Sequence, residues 1–324
     1  MLDARQAVKV ELISSLTAKG SPGFAVNQIM LNTETPGSQH TELDTYPSDQ
    51  LTAALIQDQL QAVQAVQAVS AEIARAVERA APGIRRGGRL IYAGAGTSGR
   101  LGVLDSVELL PTFSWPNERA LALLAGGHQA MFVAVEGAED NRAQGMDDLR
   151  ALQPGPDDTV LLIAASGSTP YVLGALQTAK AAGALTVAFA NNPDSPLCVG
   201  ADIGITLDTG SEIISGSTRL KAGTSQKIAL NTFSSALMVR LHKVYRNLMV
   251  DVKPTNVKLL RRTVSLTMHA TGRDEQQCRR VLEECDFHVK TAIVAIQKAI
   301  SVTAAERLLA QCDGDVRAAL AQHA

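Results

Sequence analysis

The chain has 324 residues, 46% hydrophobic and 19% charged, with a formal net charge of -2. This composition supports a packed core and excludes wholesale disorder. With 30 basic side chains against 32 acidic ones there is no net positive field to hold a polyanion, which argues against a general nucleic-acid or membrane-surface role.

Aromatics, at 3%, are too few for base-stacking platforms. Cys198, Cys278, Cys285 and Cys312 form no CxxC pair, so reduced thiols are expected rather than a metal knuckle. No apolar run approaches the roughly 18–20 residues of a membrane span. Met1-Leu2-Asp3-Ala4-Arg5 opens no secretory h-region, and the expected location is the cytoplasm.

Residues 1–30 read as an N-terminal extension broken at Gly20-Ser21-Pro22-Gly23. Residues 31–47 are polar and turn-rich, with Pro36, Gly37 and Pro47, and read as a flexible arm or a binding loop. A helix is expected from Ser48, as its N-cap, to about Ala81, closed by Pro82-Gly83. Alternation follows. Arg89-Leu90-Ile91-Tyr92-Ala93 is a short strand running into Gly94, and a helix follows from Ser98. Residues 120–124 form a second strand closed by Gly126-Gly127, and residues 129–135 read as a helix. Residues 159–164, 185–190 and 203–207 are further strands, with a helix over 170–182.

Five strands separated by helices predict an α/β fold, a doubly wound and mostly parallel sheet in a three-layer sandwich. Beyond Ser217 the pattern is helical, with Phe233, Leu237, Leu241 and Val244 on one stripe. After Pro254 come short helices. Ile293, Ile296 and Ile300 share a face there, and Asp313-Gly314-Asp315 marks a turn. The expected organisation is an extension over 1–30, a ligand-binding catalytic domain with an N-terminal helical arm over 31–254, and a small helical subdomain over 255–324, serving as a cap, a dimer element or both.

Three loops are built to hold an anion. Gly94-Ala95-Gly96-Thr97-Ser98-Gly99-Arg100 follows a strand and opens a helix, matching GxGxxG. A dinucleotide site also needs an acid about 20 residues on, and the stretch Ala120-Leu121-Ala122-Leu123-Leu124-Ala125-Gly126-Gly127 has none. What remains is a helix N-terminus with two hydroxyls, Thr97 and Ser98, where free N–H groups and the helix dipole favour phosphate. Ala165-Ser166-Gly167-Ser168-Thr169-Pro170 repeats the construction, with proline at the expected first helical position. Read alone, either loop is ordinary helix capping. At the carboxyl ends of two parallel strands they open on a common crevice. Ser215-Gly216-Ser217-Thr218-Arg219-Leu220-Lys221 adds hydroxyls and two cations. Together the loops point to a small, hydroxyl-rich phosphorylated ligand. A sugar phosphate fits better than a nucleotide.

Two carboxylates stand near these loops. Glu108 is bracketed by apolar residues before Pro111, where burial would keep it protonated as a donor. An exposed helix-end acid is the alternative. Glu139 lies in Glu136-Gly137-Ala138-Glu139-Asp140, a crowded acidic turn or a solvated one. Removing a proton beside a sugar carbonyl needs a base and expelling an oxygen leaving group needs an acid, and two carboxylates supply both without a metal. No metal-ligand spacing and no GxSxG elbow occur.

The segments 94–102, 135–140, 216–224 and Asn247-Leu248-Met249-Val250-Asp251-Val252 resemble the N-acetylmuramic acid 6-phosphate etherase family of the sugar isomerase (SIS) superfamily, a relative of the glucokinase regulatory protein. The resemblance runs from about Thr33 to the C-terminus. It implies an SIS-type fold and a lyase that eliminates D-lactate from the ring-opened sugar and then adds water, without a cofactor. It further implies Glu108 as proton donor and Glu139 as C2 base. Phosphate-holding residues would come from Thr97, Ser98, Gly99, Arg100, Ser166, Gly167, Ser168, Thr169, Ser215, Ser217, Thr218 and Lys221. A homodimer with sites near the subunit interface is also implied. Ser168 stands where the family pattern carries Arg, and Leu109-Leu110 replaces a Cys-Pro pair. One straight helix from Ser98 to Glu108 would separate the acid from the phosphate loop by about 15 Å, so either the helix breaks or Glu108 serves the partner's site. A non-catalytic sugar-phosphate regulator and an aldose–ketose phosphate isomerase remain the competing readings.

Overall fold

The computed structural model describes residues 31–252, 254 and 257–322. The expected extension over 1–30 lies outside them.

Five fully parallel strands, β1 (Leu90–Gly94), β2 (Ala120–Leu124), β3 (Thr159–Ile163), β4 (Leu185–Ala190) and β5 (Ile203–Thr206), form one sheet in the order β2-β1-β3-β4-β5. The strand count matches the expectation from the apolar runs. In the central strands β1, β3 and β4 those runs are continuous because both faces are covered. Leu90, Tyr92, Leu161, Ile163, Val187 and Phe189 point to one face and alternate with Ile91, Ala93, Val160, Leu162 and Ala188 on the other.

The first face is covered by α2 (Ser70–Arg85), by α3 (Gly96–Phe113) through Leu109 and Phe113, and by α7 (Lys221–Arg240). The second face packs α4 (Arg142–Ala151), α5 (Pro170–Ala181) and the short α6 (Pro196–Gly200). Ahead of α2 runs α1 (Ser48–Ala68). A separate apolar core gathers residues from Tyr245 to Ala319, including α8 (Val257–Thr271), α9 (Glu275–Glu284), α10 (Val289–Lys298), α11 (Val302–Gln311) and α12 (Val316–Ala321).

Several local expectations change. The single helix from Ser48 is two helices, broken at Val69, and Pro82 lies inside the second, in its last turn, rather than ending the helix before it. Pro47, not Ser48, takes the N-cap position. Residues 129–135 are no helix. A 3-10 turn over His128–Met131 is followed by irregular chain, launched by Gly126 and Gly127 at positive φ. Val244 belongs to a two-stranded hairpin, β6 (Val244–Tyr245) with β7 (Leu248–Met249), not to the helical stripe. Residues 31–47 form an ordered strap with 3-10 turns at Asn32–Glu34 and Leu43–Thr45, and Thr33 is fully buried. No helix of the described residues is long and apolar enough to cross a membrane.

Candidate active site

In the order 2-1-3-4-5 the connections leave β1 and β3 in opposite directions, so a crevice opens between their carboxyl ends. The loops that close β1 and β3 are the first two of the three anion loops. A cavity of about 410 Å³ lies there.

The first loop reaches the crevice because glycine allows it. A Cβ on Gly99 would lie 2.6 Å from the Gly94 carbonyl oxygen, so only glycine lets the first turn of α3 press onto the end of β1. The helix starts at Gly96, two residues before the expected Ser98. Thr97 and Ser98 therefore sit in its first turn, where backbone N–H groups lack helical partners.

The second loop is tied from three sides. Ser166 Oγ accepts from the Ser168 N–H at 3.2 Å and lies 3.3 Å from Thr169 Oγ1. The Asn192 side-chain amide donates to the Ala165 carbonyl at 2.9 Å. Gly167, at φ +67, approaches Ser195 so closely that a Cβ would fall 2.3 Å from it.

Thr97, Ser98, Ser166, Ser168, Thr169 and Thr218 all line this cavity together with Glu139. The strap supplies a wall that sequence reasoning missed, Glu34. It is placed by its neighbour Thr33, whose N–H donates to Asn192 Oδ1 at 3.3 Å and whose hydroxyl accepts from Asn192 Nδ2 at 3.1 Å. The Thr33 carbonyl accepts from the Gly216 N–H at 3.2 Å, joining the strap to the third loop. Asp140 is also in the lining and was not singled out from sequence. Asn191-Asn192 directly after an apolar strand was the available signal for this clamp.

Other expected residues lie elsewhere. Gly99 and Gly167 shape the backbone without lining the cavity. Ser217 falls between two lining residues, and Ser215 faces a neighbouring groove with Ile213 and Ile214. Lys221 is buried, its ammonium 2.7 Å from Asp58 Oδ1 and 2.7 Å from Gln61 Oε1, so its charge is committed to α1. Its backbone N–H and that of Ala222 donate to the buried Glu212 carboxylate, which caps α7; burial pushes the Glu212 pKa up. Arg100 lines an adjoining chamber, not the main cavity.

The expected burial of Glu108 is absent. Its side chain is 55% exposed and faces the Lys227 ammonium at 3.6 Å. The helix α3 runs unbroken past it and past Pro111 to Phe113. Twelve residues separate Glu108 from the start of that helix, about 18 Å at 1.5 Å per residue, and Glu108 does not line its own chain's cavity. One turn earlier, buried Asp105 ties α3 to β1 and α7. It accepts from the Tyr92 hydroxyl at 2.7 Å and the Ser234 hydroxyl at 3.2 Å, and burial pushes its pKa up.

Residues 72–180 match the family model of the glucokinase regulatory protein N-terminal SIS domain, and residues 128–236 that of the SIS domain. Over 290 residues the chain is 55% identical to the N-acetylmuramic acid 6-phosphate etherase of Deinococcus radiodurans, covering 90% of this chain and 95% of that one. The chain belongs to the N-acetylmuramic acid 6-phosphate etherase family. The etherase of Salmonella typhimurium is 46% identical over 290 residues, 90% of this chain and 98% of that one. Among solved structures, a phosphoheptose isomerase from Francisella tularensis aligns with a TM-score of 0.46 at 19% identity, over 59% of this chain and 98% of that one. No cluster of three or more metal-ligating side chains occurs among the described residues.

Proposed function

We propose that the protein is an N-acetylmuramic acid 6-phosphate etherase, acting in the cytoplasm on amino sugars recovered from the cell wall. One observation carries the reading. A hydroxyl and amide cradle at the ends of two parallel strands shares a single cavity with Glu139, in a chain of the etherase family. The cradle, with Thr97, Ser98, Ser166, Ser168, Thr169 and Thr218, takes the 6-phosphate.

In the ring-opened sugar the C1 aldehyde acidifies the proton on C2. The Glu139 carboxylate removes it, the C2–H electron pair becomes a C2=C3 double bond, and the C3–O bond breaks. The departing lactyl oxygen takes a proton from the second carboxyl, assigned to Glu108. Water then adds, its oxygen to C3 and a proton to C2, giving N-acetylglucosamine 6-phosphate and D-lactate. These steps transfer protons and one water, and need no cofactor.

A homodimer reconciles Glu108 with this scheme. On the outer side of α3 it neighbours Leu104 and Val107, large apolar side chains left exposed beside edge strand β2. A second copy covering that face buries them and carries Glu108 toward the partner's cavity.

Incubation with N-acetylmuramic acid 6-phosphate tests the reading. D-lactate should be released, and in heavy-oxygen water the label should enter C3 of the sugar and not the lactate. Isomerised sugar without lactate would identify an isomerase. Tight binding without turnover would identify a regulator.

A further inference from the structure

The proposed substrate has two anionic ends, the phosphate and the lactyl carboxylate. The main cavity is walled by hydroxyls and by Glu34, Glu139 and Asp140, with no Lys or Arg in its described lining. Its neutral cradle suits the phosphate. A second carboxylate placed among three acids would be repelled, so the lactyl group needs a cation elsewhere within reach of C3.

An adjoining chamber of about 240 Å³ shares Ala95, Gly96 and Glu139 with the main cavity. It is smaller than the roughly 300–1,000 Å³ of a site for a whole small molecule, so it fits a substituent. Its walls include Ala125, Ala130, Val135 and Ala138, and its one cation among the described lining is Arg100. Glu136, exposed, is also in the lining, and no ion pair joins it or Glu139 to the guanidinium. Arg100 Nε donates to the Ala130 carbonyl at 2.9 Å, which fixes the plane of the fork. The terminal nitrogens have no hydrogen-bond or ion-pair partner among the described residues. A fixed, half-buried fork with its terminal edge free can meet a carboxylate bidentately through the two terminal nitrogens. The wall behind it is closed tightly, since a Cβ on Gly126 would lie 2.9 Å from Val135 Cβ.

We propose that this chamber is the lactyl subsite. Arg100 holds the lactyl carboxylate through its terminal nitrogens, the alanines and Val135 pack the methyl, and the ether oxygen sits at the opening beside Glu139. The proposal rests on the etherase reading and assigns Arg100 to the leaving group rather than to the phosphate.

Calorimetric binding separates it from that reading. In a Glu139→Gln background, which removes the proposed base, N-acetylmuramic acid 6-phosphate and N-acetylglucosamine 6-phosphate are titrated against protein with Arg100, Arg100→Gln or Arg100→Lys. Loss of the fork should weaken the lactyl-bearing sugar by about 10- to 100-fold, the range for hydrogen bonds to charged groups, and leave the lactyl-free sugar within about twofold. Lys should restore part of the loss. Equal weakening of both sugars would make Arg100 a mere prop of the loop, and unchanged binding of both would put the carboxylate elsewhere; either result overturns the proposal. Absence of lactate release by the unmodified protein would sink the etherase reading alone, because the difference between the two sugars does not depend on turnover.

Discussion

Lys221→Met distinguishes a lysine that holds the fold from one that holds phosphate. The Lys221 side chain is 3% exposed and pairs with Asp58, itself 11% exposed. Asp58 Oδ2 is buried with no hydrogen-bond partner among the described residues, so the ammonium is the main compensation for that carboxylate. Deleting one member of a buried ion pair costs about 3–5 kcal/mol, because the other charge is left stranded. At roughly 2–4 °C per kcal/mol for a chain of a few hundred residues, Tm should fall on the order of 10 °C. Asp58→Leu combined with Lys221→Met removes both charges and should recover more than half of that loss, and thermal melts of the two single variants and the double variant give the coupling. The reasoning is refuted if Lys221→Met melts within about 2 °C of the unmodified protein and its loss appears instead as a raised KM.

Three further outcomes follow from the geometry. Gly167→Ala forces a side chain into a left-handed backbone position at φ +67 and against Ser195. It should cost at least the roughly 1–2 kcal/mol of that conformation in urea unfolding and raise KM by displacing Ser166. Mixing Glu108→Gln with Glu139→Gln subunits should restore lactate release from two inactive parents, since half the sites of each mixed dimer would then hold both carboxyls; failure to restore it would place both acids in one chain's site. Burial alone would push the Asp158 carboxyl up, but hydrogen bonds from the Arg89 side chain and from the Gly155 and Arg89 N–H groups hold it below its ordinary 3.8. Its stabilising contribution is therefore complete above that value and lost as pH falls through the lowered folded-state pKa. Asp158→Asn should lower the urea midpoint at pH 7, and the gap to the unmodified protein should close below about pH 4.

The five strands were legible because each is a short apolar run, buried on both faces in the central β1, β3 and β4, and the two hydroxyl loops because they sit where β1 and β3 end. Elements without a period of their own were not. The hairpin of Val244–Tyr245 and Leu248–Met249 is too short to show alternation, and the chain after Gly127 looks helical by composition but is turned by two positive-φ glycines. Long-range partners were equally invisible. Lys221 stands next to a hydroxyl loop in sequence and invites reading as a phosphate ligand, yet its carboxylate partner lies 163 residues away. Glu34 enters the cavity only because Asn192, at the end of β4, clamps Thr33.

Glu108 shows where spacing says more than burial. Apolar neighbours gave no warrant for a buried acid, because Leu104 and Val107 are themselves exposed. The distance argument needed nothing beyond the helix rise, and α3 is unbroken between its N-terminal hydroxyls and Glu108. A helix that starts under a hexose phosphate must carry a residue twelve positions on past the far end of that sugar. On the proposed roles, the same helix therefore serves two cavities, with Thr97 and Ser98 in one and Glu108 in the partner's. The exposed apolar residues flanking Glu108 are then what draws the second subunit to the place where the acid is needed.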